Sequence, residues 1–138
     1  MELFKYLFPI LGWYITIILG DYIWLGYIIK KFTIREFGEL VTIENGAIRL
    51  NLFAGLLAWF IIVLLVYVFV IRSGYASSYS SAIGYGALIG FLSYAMYDLT
   101  NLTFLKNYSI PFTLLDITWG TFLCAIVSLV MYSISRYF

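Results

Sequence analysis

Four runs of apolar residues, 6–29, 52–71, 82–102 and 111–132, take up most of this chain. Each is near the length, about 20 residues, at which an α-helix crosses the hydrocarbon of a bilayer. Lipid offers no partner for backbone N–H and C=O groups, so a spanning run must satisfy them within itself, as a helix. Charged residues make up 11% of the chain, against about 25% in an ordinary soluble domain. The expected fold is therefore all-α: an integral membrane bundle of four transmembrane helices, a single membrane domain over residues 1–138. With 138 residues in all, four spans leave no room for a soluble domain.

The segments between the runs refine this expectation. The first run continues past Gly20 without a small-residue cleavage site and closes at Lys30-Lys31, which reads as a retained span and not a secretory signal. Thr33-Ile34-Arg35-Glu36 has the capping-box pattern, and Phe37, Leu40 and Val41 follow at helical spacing opposite Arg35, Glu36 and Glu39. A short interfacial helix is expected there, ended by Asn45-Gly46. Span two has no ionisable group and is expected to contribute packing alone. Pro111 suits the first turn of span four, where its missing N–H costs nothing. In span three Ala82, Gly86 and Gly90 recur every fourth residue, and in span four Asp116, Gly120, Cys124 and Ser128 do the same. Such small-residue rows let another helix approach closely, either within the chain or in a second copy. The expected partners are thus the lipid bilayer and a second copy of the chain.

Charge sets orientation and removes whole classes of function. Lys30, Lys31, Arg35, Arg49 and Lys106 fall on one side of a four-span topology, and Lys5, Arg72 and Arg136 on the other. The positive-inside bias places the Lys30–Arg49 segment and the Lys106 hairpin in the cytoplasm and both termini outside. Eight scattered Lys and Arg at a net charge of +1 build no basic face, so nucleic acid is not an expected partner. Histidine is absent, which removes imidazole metal ligands, Ser-His triads and histidine proton relays. The single cysteine, Cys124, reads as a buried packing residue.

The three aspartates, Asp21, Asp98 and Asp116, all lie inside apolar runs, whereas Glu2, Glu36, Glu39 and Glu44 lie outside them. An ionisable side chain at membrane depth costs about 2.5–3.5 kcal/mol on insertion scales and calls for a reason. Counted from Lys30, Lys106 and Pro111 at a rise of about 1.5 Å per residue, all three sit roughly 8–13 Å from the same surface. They predict one polar pocket between spans one, three and four, with Trp24, Tyr97, Asn101 and Trp119 as hydrogen-bonding neighbours. Trp24 and Trp119 each stand three residues beyond an aspartate on its own helix. If a metal or other cation is held, Asp21, Asp98 and Asp116 are the expected ligands; no other cofactor is evident. The bland alternative is that these acids only hold helices together.

The strings Asp21-Tyr22-Ile23-Trp24-Leu25-Gly26, Tyr97-Asp98-Leu99-Thr100-Asn101-Leu102 and Asp116-Ile117-Thr118-Trp119-Gly120-Thr121 carry a resemblance. On them the chain resembles a family of small bacterial predicted membrane proteins known only as a domain of unknown function. The resemblance implies a four-span fold in a bacterial inner membrane and brings no reaction, cofactor or ligand. From the residues themselves, the leading expectation is a small proton or cation channel or carrier, working as a homo-oligomer. The alternative is a lipid-binding or lipid-modifying protein using the same acids, or an accessory subunit of a membrane complex. No catalytic set is evident, and a non-enzyme is favoured.

Overall fold

The computed structural model describes residues 2–136, with side chains from residue 11 onward. Helix α1 (Glu2–Ile23) continues through a π-helical turn, Trp24–Ile28, which closes with Ile29 N–H donating to the Trp24 carbonyl at 2.9 Å. Ile29 leaves helical geometry, and α2 (Lys30–Phe37) starts at once. The short helix thus begins three residues earlier than Thr33, whose own N–H is already bonded to the Ile29 carbonyl at 2.8 Å. It ends at Gly38, not at Asn45-Gly46, because Gly38 takes φ +51°, a conformation costly for residues with a Cβ. Asn45 and Gly46, with φ of 50° and 73°, instead turn a small antiparallel hairpin of β1 (Ile43–Glu44) and β2 (Ala47–Ile48). Two central residues at positive φ are what a tight hairpin with the natural strand twist requires. The all-helical expectation therefore gains a two-stranded element.

Helix α3 (Leu52–Val66) is capped by Asn51, whose side chain accepts from the Ala54 N–H at 3.1 Å, and runs on through a π-helical segment, Tyr67–Arg72. Helix α4 (Tyr79–Phe104) opens with a reciprocal capping box between Ser78 and Ser81. Helix α5 (Ile110–Ser135) opens on Ser109, which accepts from the Phe112 N–H at 3.2 Å, with Pro111 in the first turn. Among the described residues three segments are long and apolar enough to cross a membrane: Leu11–Ile28, Leu52–Arg72 and Ile110–Ser135. At 26 residues α4 has the length, but its Ser, Gly, Tyr, Thr, Asn and Asp residues make it more polar.

Helices α4 and α5 pack antiparallel along two rows of small and polar residues. Ala82, Gly86, Gly90, Tyr94 and Asp98 of α4 meet Ser128, Cys124, Gly120 and Asp116 of α5 in descending order. Ser128 Oγ donates to the Ala82 carbonyl at 2.7 Å. A Cβ on Gly86 would stand 2.6 Å from the Cys124 carbonyl oxygen, one on Gly90 2.8 Å from Cys124 Cβ, and Gly120 lies under the Tyr94 ring. The Ala82/Gly86/Gly90 face is therefore occupied by the chain's own α5 and is not free for a second copy. The apolar core lies beside this seam: Trp13 and Ile17 of α1, Val63, Val66 and Val70 of the α3 segment, and Leu123, Val127 and Met131 of α5.

Candidate functional site

Asp21 lies near the end of α1, 7% exposed, and receives two indole N–H groups from two other helices. Trp59 Nε1 of α3 donates to its Oδ2 at 2.5 Å, and Trp119 Nε1 of α5 donates to its Oδ1 at 2.8 Å. Two donors on the two oxygens of one carboxylate form a charge-assisted clamp that ties three helices at one point. Trp24, at the start of the π-helical turn, stacks on Trp119 with ring centroids 4.4 Å apart and planes 3° apart. The expected pairing of each tryptophan with the aspartate on its own helix is thus replaced: Trp119 crosses to Asp21, and Trp24 Nε1 is buried without a partner among the described residues. The stacking is the reason, since it fixes both indole planes between the helices and aims only Trp119 at an acid.

Asp98 is fully buried in the α4–α5 seam. The Tyr108 hydroxyl donates to Asp98 Oδ1, while Asp98 Oδ2 is buried with no hydrogen-bond partner among the described residues. Asp116 is the neighbouring acid on α5, and two carboxyl groups can bond to one another only with a proton between them. Tyr108 stands in the 105–109 connection, where burial first and the Asp98 carboxylate second push its phenol above the ordinary tyrosine range, keeping it a donor. Asn101 stands near Tyr108 and makes no side-chain hydrogen bond to an acid among the described residues.

Between α1, α2, α4 and α5 lies a cleft of about 270 Å³. Of the seven residues singled out from the sequence, Asp21, Trp24, Tyr97, Asp116 and Trp119 line it. Asp98 and Asn101 do not; they stand behind Asp116, within the seam and its connection. Tyr97 is 62% exposed and contributes at the rim. Among the described residues no three Asp, Glu, His or Cys side chains are grouped so as to hold a metal ion, so the three aspartates do not form one ligand set. They divide into the indole-clamped Asp21 and the Asp98–Asp116 pair. A second cleft of about 220 Å³, with Lys30 and the β-hairpin in its wall, reaches Asp21 from the other side of α1.

Several residues of this site carry no signal that sequence reasoning used. Trp59 sits in a run without ionisable groups, and its role depends on which helix lies next to α1. Tyr94 continues the fourfold row of Gly86 and Gly90, and extending that row by one step reaches it. Phe37 and Phe112 meet edge to face at 4.8 Å, and Phe32 lies against Phe112 at 6.1 Å, docking α2 over the mouth of the cleft. Thr33 of α2 is 8% exposed and lines the cleft, with Oγ1 unpartnered among the described residues.

The family model described as "Predicted membrane protein (DUF2177)" matches residues 6–133 of the chain. No curated protein and no solved structure matches it. With nearly its whole length covered, the chain belongs to the predicted membrane protein family DUF2177.

Proposed function

We propose that this is a four-span membrane protein that binds an amphiphilic lipid in a pocket open to one side of the bilayer, through Asp21, Asp116 and the surrounding aromatic residues. The observation that carries this reading is the floor of the cleft. Asp21, Trp59 and Trp119, which form the clamp, are followed one helical turn deeper by Ile17, Val63 and Leu123, each at most 2% exposed. Trp13, Val66, Val127 and Met131 continue that apolar layer, all fully buried. A path for protons or ions needs polar groups along its length, and among these residues the Trp13 indole N–H is the one polar side-chain group. The small-residue face that would join copies around a shared pore is spent on the α4–α5 seam.

In this reading α4 is the fourth span. Its polar row points at α5, while Ile83, Leu88, Phe91, Leu92, Met96 and Leu99 are exposed, as a lipid-facing surface requires. The cleft then opens on the side of Lys30, Lys31 and Lys106, the cytoplasmic side by the positive-inside bias. The acid pair Asp98–Asp116, able to hold one proton, is the observation that favours a proton or cation carrier as second reading.

Photocrosslinking tests the proposal. The protein, reconstituted with a lipid bearing a diazirine near its headgroup, should crosslink at Trp24, Tyr97 and Phe112 in excess of the outward residues Leu92 and Leu99. Crosslinks spread evenly over the outer faces, with none in the cleft, would remove the lipid-binding reading.

A further inference from the structure

We infer that the group the cleft accepts is the ammonium of a cationic amphiphile; this rests on the pocket reading above and adds the charge of the ligand. Size narrows the choice first. Ligand pockets that engulf a whole small molecule run to about 300–1,000 Å³, and this cleft, at about 270 Å³, falls just short of them. It holds a headgroup, and an attached chain would lie outside the cleft, in the lipid.

Charge narrows it further. Asp21 and Asp116 both face the cleft, and among the described residues its walls contain no lysine or arginine. Asp21 is answered by two indole N–H groups, but among the described residues Asp116 accepts from no side-chain donor. A phosphate, sulfate or carboxylate headgroup would meet an uncompensated negative wall, which desolvation makes costly. An ammonium would complete it.

The remaining wall is aromatic, with Trp24, Tyr94, Tyr97, Phe112 and Trp119 around Asp116. Aromatic faces attract cations through their quadrupole, and cages of this composition recognise quaternary ammonium groups. Independently of the acids, Thr33, more than nine-tenths buried, stands in the wall of the cleft with Oγ1 unpartnered among the described residues. Buried polar atoms are ordinarily satisfied, and Thr33 Oγ1 can accept from a primary ammonium. Trp24 Nε1, also unpartnered, can donate to an oxygen next to the amine.

The test uses the full chain in decyl maltoside micelles, read by its tryptophan fluorescence. Dodecyltrimethylammonium, dodecylammonium, tetramethylammonium and dodecyl sulfate are titrated in turn. The two cationic amphiphiles should give saturable changes, weakened by about tenfold or more in Asp116→Asn, a loss equivalent to about 1.4 kcal/mol. Trp24→Phe should weaken them as well, and serves alone should Asp116→Asn fail to fold. Dodecyl sulfate binding as tightly as dodecyltrimethylammonium, or both variants binding like wild type, would overturn the ammonium assignment and leave the pocket reading intact. Tetramethylammonium binding as tightly as its dodecyl analogue would overturn the amphiphile and assign the cleft to a soluble cation. Saturable binding by none of the four would remove the pocket reading together with the inference.

Discussion

A single-atom change separates the aspartates. At Asp21 both oxygens accept from indole N–H groups, so Asp21→Asn turns one acceptor into a donor facing a donor. A buried donor left without a partner costs about 1–3 kcal/mol, and that loss of stability is expected for Asp21→Asn. Trp59→Phe and Trp119→Phe should each lose a similar amount, by removing one arm of the clamp. Asp98→Asn and Asp116→Asn behave differently, because an amide can donate to the neighbouring carboxyl group, and at residue 98 its oxygen can still accept from Tyr108. Both should unfold within about 0.5 kcal/mol of wild type, the range of substitutions that break no named interaction. Unfolding in mixed micelles measures all five, and equal destabilisation by the three amide variants would refute the division of the acids into a clamp and a pair. The presence of a polar site was legible here because aspartates in apolar runs are conspicuous. Their partners were not, since hydrogen bonds between helices depend on which helices adjoin, a matter that spacing along one helix does not encode.

Among the elements, the α4–α5 seam makes the sharpest demand on sequence. Gly86 and Gly90 lie against the backbone and Cβ atoms of α5, so alanine at either must push the helices apart. Overpacking of this kind costs about 1–3 kcal/mol. Gly84, on the same helix, has open space for 4 Å around the point where a Cβ would stand, and Gly84→Ala should be neutral or stabilising by up to about 1 kcal/mol. Thermal unfolding of the three alanine variants in detergent checks this; a Gly84 variant as damaged as the other two would mean that the seam is not where the cost arises. The fourfold spacing that marks the seam could be read from one helix, but whether it served the chain or a second copy could not. For α2 the local pattern misled. Thr33-Ile34-Arg35-Glu36 has the residues of a capping box, yet α1 passes into α2 with no gap that would leave the Thr33 N–H unpaired. Asn45-Gly46 is a stop signal for a helix and equally a hairpin turn, and Gly38 had already ended the helix.

For the whole molecule, membership in the membrane class follows from composition, 11% charged and 64% hydrophobic against about 25% charged in an ordinary soluble domain. The path of α4 is the part that hydropathy alone leaves short, its inward row being polar. With α4 crossing, single cysteines at Lys106 and Arg72, both exposed and at opposite ends of the α4 segment, should be labelled from opposite sides of sealed vesicles. Cys124 is fully buried and should stay silent in this experiment. Labelling of both positions from one side would take α4 out of the membrane. In the proposed reading the acids serve a pocket closed below by Ile17, Val63 and Leu123, and purified protein in liposomes should pass protons and cations no faster than protein-free vesicles. Flux above that level that disappears in Asp116→Asn would refute the closed pocket.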